Sequence, residues 1–326
     1  MRHEFVQDLK QHILQGTVLE QEPMGRHTTF QVGGPADLFV EPGNREEVRY
    51  AVMAARRERV PFFVTGNGSN LLVSDDGYRG MIIHIGKSLS EVSVRDDLIE
   101  AEAGISLARL ARMALAKGLT GMEFAAGIPG SLGGAVVMNA GAYKGEMKDI
   151  LISVDVMTAE GEFISLPAEE LDLSYRYSNV IEREYLILAA RIKLVPGDQD
   201  AIRSRMDELA LARKTKQPLD YPSAGSTFKR PEGYFAGKLI QDAGLKGYTV
   251  GGAKVSEKHS GFVINVGGAE AEEIRFLISQ VRKKVYRQFG VMLEPEVRFL
   301  GFDDPMDRNS SKGQASGRYE STGFAE

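Results

Sequence analysis

The chain contains no cysteine, so it can form no disulfide, no thiolate metal site and no cysteine nucleophile. Its five histidines show no ligand spacing such as HExxH, and we expect no metal site. Basic residues are not in surplus, since the net charge is −5, which argues against general nucleic-acid binding. No apolar run approaches the roughly 18 residues that span a bilayer, and the charged N-terminus lacks a signal-peptide core. We therefore expect a cytoplasmic protein without membrane contact.

Helical and strand periodicities are mixed along the chain, which predicts an α+β protein. Pro196-Gly197 breaks the pattern, and we place a domain boundary near 196–215. After about residue 303 the composition becomes small and polar, which predicts a disordered tail. In chain order the patterns predict a helix over 46–58 capped by Asn44, strands over 60–65 and 81–85, a helix over 106–117, a hairpin over 150–166, a strand over 186–194, helices over 199–213 and 269–289, and a closing strand over 291–300.

Two glycine-rich loops stand out in the first half of the chain. One is TGNGSN (65–70), which directly follows a predicted strand, and the other is GIPGSLGGA (127–135), followed by NAGA (139–142). Glycine lets the backbone approach a ligand closely, and successive N–H groups in such turns form a concave anion site. Each loop alone could be an ordinary tight turn, but two of them suit the pyrophosphate of a dinucleotide. Neither loop fits the GxxxxGK[ST] or GxGxxG pattern.

Seven motifs in a fixed order make the chain recognisable. They are HTTFQVGGPAD (27–37), VTGNGSNLLVSDDGYRG (64–80), GIPGSLGGAVVMNAGAY (127–143), LSYRYS (173–178), PSAGSTFKRP (222–231), GLKGYTVGGAKVSEKHSGFVIN (244–265) and LEPEVRFLG (293–301). Together they resemble the UDP-N-acetylenolpyruvoylglucosamine reductase (MurB) family over roughly residues 20–302. The chain lacks the loop that longer members insert between the arginine and serine motifs, so it resembles the shorter type II form.

The resemblance implies a vanillyl-alcohol-oxidase (PCMH-type) FAD-binding fold, which agrees with the absence of GxGxxG. It implies an FAD-binding region over 1–196, with subdomains of about 1–82 and 83–196, then a UDP-sugar domain over 197–303 and a tail over 304–326. NADPH would reduce non-covalently bound FAD, and the enolpyruvyl UDP-N-acetylglucosamine would then accept hydride from the flavin; we expect a monomer. The implied FAD contacts are Gly66, Asn67, Gly68, Ser69, Asn70, Gly127, Gly130, Ser131, Gly133, Gly134, Asn139 and Gly141.

Three residues match the family's catalytic positions. Ser226, in AlaGlySer, matches the proton donor, although a serine after glycine is ordinarily a turn residue. Arg176 matches the arginine that stabilises the enediolate on the substrate carboxylate. Glu296 matches the essential carboxylate, with Glu294 as the competing choice. Glu296 could donate a hydrogen bond as a neutral acid or orient the arginine, and both roles stay open.

Other positions carry weaker expectations. Tyr175 could bind substrate or only pack, and a lone histidine such as His259 is more often structural. Arg230 stands where the motif FKNP has asparagine, which puts any nucleotide contact of that side chain in doubt. Because the covering loop is absent, something else must cover the substrate. The candidates for the UDP phosphates are Arg213, Lys214, Lys216, Lys229, Lys238 and Lys254.

Two other functions remain possible on the same fold. A sugar or alcohol oxidase often tethers its flavin through histidine or cysteine, but here cysteine is absent, and we considered only His27 and His84 of the first region for such a bond. The set of Ser226, Arg176 and Glu296 would have no purpose in such an oxidase. A flavin-binding protein without activity is the second alternative, because fold alone does not establish function.

Overall fold

A computed structural model describes residues 3–302 and 324–325 of the chain. The first subdomain is a mixed sheet with two helices. In chain order the elements are α1 (His3–His12), β1 (Thr17–Pro23), β2 (Pro35–Glu41), α2 (Arg45–Glu58), β3 (Phe62–Thr65), β4 (Leu71–Val73) and β5 (Tyr78–His84). β1 and β2 pair antiparallel, whereas β5 pairs parallel with both β2 and β3.

Helix α2 shows how local sequence produces these elements. The Asn44 side chain accepts the Glu47 N–H at 2.9 Å, which confirms the predicted cap. Apolar residues then recur at helical spacing and turn one face toward the core, and Arg59 ends the helix in a left-handed conformation. The buried members of that face are Val48, Ala51, Val52, Ala54 and Ala55.

The second subdomain is an antiparallel sheet with the strand order β12-β11-β13-β7-β6. The predicted hairpin is confirmed, because Met157 and Phe163 face each other across its tip. Its elements and the helix after them are β6 (Val92–Arg95), β7 (Leu98–Glu102), α3 (Leu107–Ala116), β8 (Leu119–Thr120), α4 (Leu132–Val137), β9 (Gly141–Ala142), β10 (Gly145–Glu146), β11 (Leu151–Met157), β12 (Phe163–Pro167), β13 (Leu186–Lys193), β14 (Val195–Pro196) and α5 (Gln199–Lys216).

A single apolar core runs through both subdomains. Buried residues of α1 and α2 join those of α3, α4 and the antiparallel sheet, from Phe5 to Leu194, in one contiguous cluster. Helix α5 packs against α3 and the short turn Glu123–Ala125, so it lies on the half formed by these two subdomains. We therefore place the start of the last domain after Lys216, at the end of the expected boundary region 196–215 and not at residue 197.

The last domain packs a three-stranded antiparallel sheet against a long helix. The predicted helix over 269–289 is confirmed, and it ends where Gly290 adopts φ +69°. Phe30, Val32 and Leu72 of the first subdomain belong to this domain's core, so the two parts share a packed interface. The elements are α6 (Ala236–Asp242), β15 (Thr249–Val250), β16 (Ala253–Val255), β17 (Val263–Asn265), α7 (Ala271–Phe289), β18 (Arg298–Leu300) and β19 (Phe324–Ala325).

The predicted closing strand over 291–300 is wrong in its length. Only Arg298–Leu300 form a strand, β18, which returns to the first subdomain and pairs parallel with β4. Pro295 has no N–H for a ladder, and the residues before β18 turn to pair with a loop instead. In that pairing Lys229 N–H donates to the Glu294 carbonyl, and Glu296 N–H donates to the Thr227 carbonyl.

The C-terminal region is described only in part. Residues 303–323 and 326 lie outside the described residues, and so does most of the tail that we predict over 304–326. Strand β19 pairs parallel with β3. Between residues 3 and 302, none of the helices is both long and apolar enough to cross a membrane. The described part of the chain also contains no group of three or more His, Asp and Glu arranged to hold a metal.

Candidate active site

The two glycine-rich loops meet in the structure. The first begins where β3 ends, and the Asn67 amide donates to the Pro129 carbonyl of the second loop at 3.1 Å. A Cβ on Gly66 would lie only 2.2 Å from the Ser131 hydroxyl oxygen, so this position has room only for glycine. The loops, 65 residues apart at Gly66 and Ser131, therefore form one continuous cradle.

A cavity lies beside this cradle, and its walls fit a flavin cofactor. Half of the lining residues are aliphatic, and the Thr65 hydroxyl is buried without a hydrogen-bond partner, which leaves it available to a ligand. Four of the expected FAD contacts, Gly66, Ser131, Gly133 and Gly134, line this cavity. The complete lining is Val64, Thr65, Gly66, Ile85, Ala103, Ser131, Gly133, Gly134, Val137 and Ile187.

Several other expected FAD contacts have structural partners of their own. Gly68, at φ +61°, lies so close to the His27 carbonyl that no side chain fits. The Asn139 amide donates to the Glu146 carboxylate at 2.8 Å and to the Ser174 carbonyl at 3.1 Å. Asn139 thus joins the second glycine loop to the segment that carries Arg176, and its side chain is occupied by this role.

The turn that presents Arg176 is strained. Ser174 and Tyr177 exchange two backbone hydrogen bonds of 3.1 and 3.2 Å, which closes a tight turn with Tyr175 and Arg176 at its centre. Arg176 has φ +54°, the left-handed region that costs a residue with a Cβ about 1–2 kcal/mol. Such strain persists where surrounding contacts hold it, and it is concentrated at functional sites.

Arg176 and Glu296 form a largely buried ion pair, 120 positions apart in the chain. The Arg176 Nε–H donates to Glu296 Oε1 at 2.6 Å. Burial raises the pKa of the Glu296 carboxyl above its ordinary value, while the charge and hydrogen bond of Arg176 act in the opposite direction. The two Nη groups of Arg176 have no hydrogen-bond partner among the described residues, so they can reach a ligand carboxylate.

Ser226 lies in a loop whose backbone meets that of Glu296. It follows Gly225, which has φ +72°, and it precedes Thr227, whose carbonyl accepts the Glu296 N–H at 2.8 Å. The Thr227 hydroxyl accepts the Val263 N–H and so anchors the loop to β17. Glu296 is therefore joined to two distant segments, to Arg176 by its carboxylate and to the loop of Ser226 by its backbone.

Asn70 connects Glu296 to the first glycine loop. Its amide donates to the Glu296 carbonyl at 3.1 Å, and its own carbonyl accepts the Arg298 N–H at 2.9 Å. The residue expected to contact FAD thus also positions the end of the last domain. The cradle and Glu296 are held in one hydrogen-bonded unit.

The side chains with weaker expectations of substrate binding have different contacts in the structure. The Tyr175 hydroxyl accepts the Arg230 N–H at 3.2 Å, so Tyr175 bridges the two halves of the cleft. Lys229 pairs with Glu294 at 3.2 Å, and Lys238 pairs with Asp242 at 2.7 Å on the surface of α6. His259 packs edge-on to Phe262, and burial lowers the pKa of its imidazole.

Arg298 is a candidate that sequence reasoning missed. It lies two residues after Glu296 at the start of β18, and burial lowers the pKa of its guanidinium to about 10. No acidic partner of Arg298 occurs in the described residues. The sequence could have indicated Arg298 by its position, because a residue two positions from Glu296 in an extended segment points to the same side as Glu296.

Arg213 is only partly satisfied, since its Nε–H donates to Gln217 Oε1 at 2.9 Å. Its Nη1 atom is buried without a hydrogen bond and lies against Gly127, where an added Cβ would be 2.5 Å away. Burial lowers the pKa of Arg213 below its ordinary value. This candidate for the UDP phosphates therefore lies against the second glycine loop.

Known proteins similar to this chain agree with the architecture. A domain family described as "UDP-N-acetylenolpyruvoylglucosamine reductase, C-terminal domain" matches residues 217–300, and one described as "FAD binding domain" matches residues 36–167. The UDP-N-acetylenolpyruvoylglucosamine reductase of Agathobacter rectalis is 52% identical over 313 residues, covering 92% of this chain and 99% of that protein. That of Caldanaerobacter subterraneus subsp. tengcongensis is 52% identical over 297 residues, covering 91% and 98%.

A solved structure extends the agreement to three dimensions. The crystal structure of UDP-N-acetylenolpyruvylglucosamine reductase (MurB) from Thermus caldophilus superposes with a TM-score of 0.76 at 35% identity, covering 87% of this chain and 99% of that one. The predicted α+β fold, an FAD-binding region with a separate C-terminal domain, is confirmed. From its sequence, its fold and the meeting of its glycine loops, the chain belongs to the UDP-N-acetylenolpyruvoylglucosamine reductase family.

Proposed function

We propose that this protein reduces the enolpyruvyl ether of UDP-N-acetyl-3-O-(1-carboxyvinyl)glucosamine to UDP-N-acetylmuramate, using NADPH and FAD, in the synthesis of peptidoglycan precursors. The observation that carries the proposal is the ion pair of Arg176 with Glu296, whose backbone is bonded both to the loop of Ser226 and to Asn70 of the first glycine loop. This reduction needs a cation that binds the substrate carboxylate and a hydroxyl that protonates the carbanion.

The cradle is the proposed FAD site. Backbone N–H groups of the loops around Gly66 and Ser131 would hold the pyrophosphate, and the aliphatic wall would exclude water from the reacting face. When bound and reduced, FAD supplies the hydride for the terminal methylene carbon of the substrate. The remaining chemistry falls to the side chains of this chain.

Ser226 is the proposed proton donor. Hydride addition at the methylene leaves an electron pair on the neighbouring carbon, which carries the substrate carboxylate. The Ser226 O–H would transfer its proton to that carbon and complete the saturated lactyl ether. A hydroxyl is a weak acid in water, so the transfer depends on its position within hydrogen-bond reach of the carbon.

Arg176 would hold the substrate carboxylate. Its free Nη groups form a planar fork that matches two carboxylate oxygens, and they would stabilise the enediolate charge before the proton arrives. Glu296 occupies the remaining Nε–H and thereby fixes the plane of the guanidinium. Of the two roles that the sequence left open for Glu296, this contact supports orientation of the arginine by an ionised carboxylate.

The decisive test asks whether the UDP-sugar or oxygen accepts the electrons of the reduced flavin. Under anaerobic conditions, NADPH is added to the FAD-loaded protein until the flavin bleaches, and excess NADPH is removed. Enolpyruvyl UDP-N-acetylglucosamine should then restore the flavin colour without oxygen. A flavin that stays bleached until air enters would instead make the protein an oxidase.

A variant assigns the proton donor in the same experiment. Ser226→Ala should bind FAD and be bleached by NADPH like the wild type, yet form no product, because the proton source is removed. Ser223→Ala, in the same loop, is the matched control and should turn over normally. Normal turnover by Ser226→Ala would remove Ser226 from this role. The monomeric state and the cytoplasmic location stay predictions, to be checked by sedimentation and fractionation.

A further inference from the structure

The end of helix α4 holds the turn that carries Arg176. The Ser178 Oγ–H donates to the Val137 carbonyl at 2.7 Å, and the Asn139 amide donates to the Ser174 carbonyl at 3.1 Å. Ser174 lies at the start of the turn and Ser178 directly after it, so each side of the turn has its own hydrogen bond to the end of α4. We call these two hydrogen bonds the clamp.

The side chains of the clamp are buried and fully occupied. Ser178 is 3% exposed and Asn139 is 1% exposed. The Asn139 amide also donates to the Glu146 carboxylate at 2.8 Å, and its side-chain oxygen accepts the Lys148 N–H at 2.9 Å. These partners fix the direction of the amide, because only its nitrogen donates and only its oxygen accepts. Asn139 would have to leave buried groups unpaired in order to turn toward a ligand.

Helix α4 gives the clamp a fixed base. At its N-terminal end the Leu132 and Gly133 N–H groups donate to the carbonyls of Ile105 and Ala103, both at 2.8 Å. Gly133 and Val137 of the same helix line the cavity that we propose for FAD. One short helix thus forms part of the cavity wall and holds the Arg176 turn, so the clamp fixes the turn relative to the cavity.

The turn needs such support because its conformation is unfavourable. Arg176 has φ +54°, which a residue with a Cβ keeps only where surrounding contacts hold it. The hydrogen bonds between Ser174 and Tyr177 close the turn but do not attach it to the cavity, and the bond to Glu296 holds only the Arg176 side chain. Without the clamp, the turn would relax and carry the guanidinium away from its place.

We propose that Ser178 and Asn139 are positioning residues for the reduction, and that they act through the backbone of Arg176. The inference rests on the proposed function, since it takes Arg176 to stabilise the enediolate of the UDP-sugar. That enediolate arises only when the substrate accepts the hydride, and not when NADPH reduces the flavin. The clamp should therefore affect one half of the catalytic cycle and leave the other unchanged.

The test follows the flavin absorbance of the FAD-loaded, full-length protein through both half-reactions without oxygen. Ser178→Ala should keep its FAD and be bleached by NADPH at the wild-type rate. Its reoxidation by saturating enolpyruvyl UDP-N-acetylglucosamine should be about fivefold to thirtyfold slower, the factor that corresponds to the strain at Arg176. Ser178→Thr keeps the hydroxyl and should recover most of the rate. Ser90→Ala, which also removes a 2.7 Å hydroxyl bond to a backbone carbonyl, is the matched control and should leave both half-reactions unchanged.

Asn139→Gly is a second variant, which separates the clamp from a direct flavin contact. Glycine adopts the φ of +40° found at Asn139 without strain, so the substitution removes only the amide. The clamp predicts that this variant keeps its FAD and is slow only in reoxidation by the UDP-sugar. Loss of FAD together with slow bleaching would instead make Asn139 a flavin ligand and would overturn its place in the clamp.

The wild type distinguishes failure of the clamp from failure of the proposed function. If the UDP-sugar reoxidises the wild type and Ser178→Ala at the same rate, the clamp proposal alone is overturned. The same holds if Ser178→Ala loses both half-reactions together with its FAD, because Ser178 would then be a general structural residue. If the UDP-sugar does not reoxidise the wild type, the proposed function is overturned and the role of the clamp with it.

Discussion

Adding one methyl group at Gly66 should separate the two glycine loops. A Cβ at this position would lie 2.2 Å from the Ser131 Oγ and 3.2 Å from the Ser131 Cβ. Ordinary van der Waals contacts are about 3.4–4 Å, and Ser131 is only 1% exposed, so its side chain has little space to move. The φ angle of Gly66 is not in the left-handed region, and the effect of Gly66→Ala is therefore purely steric.

The expected cost is that of overpacking a tight interior, about 1–3 kcal/mol. For a unit of 150–250 residues each kcal/mol lowers the melting temperature by roughly 2–4 °C, so the FAD-free variant should melt several degrees below the wild type. Because the displaced atoms line the cavity, the purified variant should also carry less FAD. Calorimetry measures the first effect, and the ratio of flavin to protein absorbance measures the second.

A second substitution should reverse the first. Ser131→Ala removes the oxygen at 2.2 Å and leaves only the 3.2 Å contact, which needs a shift of a few tenths of an ångström. Ser131→Ala alone should cost little, because the Ser131 side chain makes no capping hydrogen bond to α4. The Gly66→Ala/Ser131→Ala double variant should therefore melt above Gly66→Ala and retain more FAD. If Gly66→Ala matches the wild type, or if the double variant is no better than the single one, the loops do not meet as described.

Three further predictions concern the ion pair and the interface. Arg176→Ala and Arg176→Gly should both lose turnover. In urea unfolding the glycine variant should be about 1 kcal/mol more stable than the alanine variant, because only glycine relieves the left-handed strain. Equal stabilities of the two variants would contradict that strain. In the wild type, kcat should fall as the pH decreases through the pKa of Glu296, which lies above the ordinary 4.5, because protonation breaks the ion pair. Glu296→Gln should lack this decrease at acid pH. If the variant keeps the decrease, another group causes it. The Asp75 carboxylate accepts the Ala271 and Glu272 N–H groups of α7 at 2.8 and 3.0 Å. Asp75→Ala should therefore lower the free energy of unfolding by about 1 kcal/mol, and Asp75→Asn should lower it by less. No change in either variant would show that this cap does not stabilise the protein.

Elements with strong local signals were predictable from sequence. The helices α2 and α7 were found from apolar spacing and from Asn44 and Gly290 at their ends, because these features act within a few residues. The closing strand was predicted too long, because residues 291–300 look uniformly extended. Its true length depends on which partner each N–H finds, and that partner is a loop some 70 positions earlier.

The site depended on resemblance rather than on local pattern. Read alone, Ser226 is a turn serine and Arg176 a surface arginine, and nothing near either residue indicates that Arg176 meets Glu296. Contacts of that kind arise from the whole fold. Arg298 was missed for the same reason, because the residues next to it in the sequence do not indicate that it is buried. The exposed stacking of Arg230 on Phe235 could not be predicted from neighbouring residues either.

The hydrogen bonds from Asn70 to the segment carrying Glu296 have a consequence for how the enzyme is made. Glu296 is 226 positions further along the chain than Asn70. At a synthesis rate of about 5–20 residues per second, roughly 10–45 s separate the two residues on the ribosome. Both glycine loops are synthesised early in that interval, whereas Glu296 is added only at its end. The ion pair that holds the guanidinium of Arg176 therefore forms only in a chain translated almost to its end.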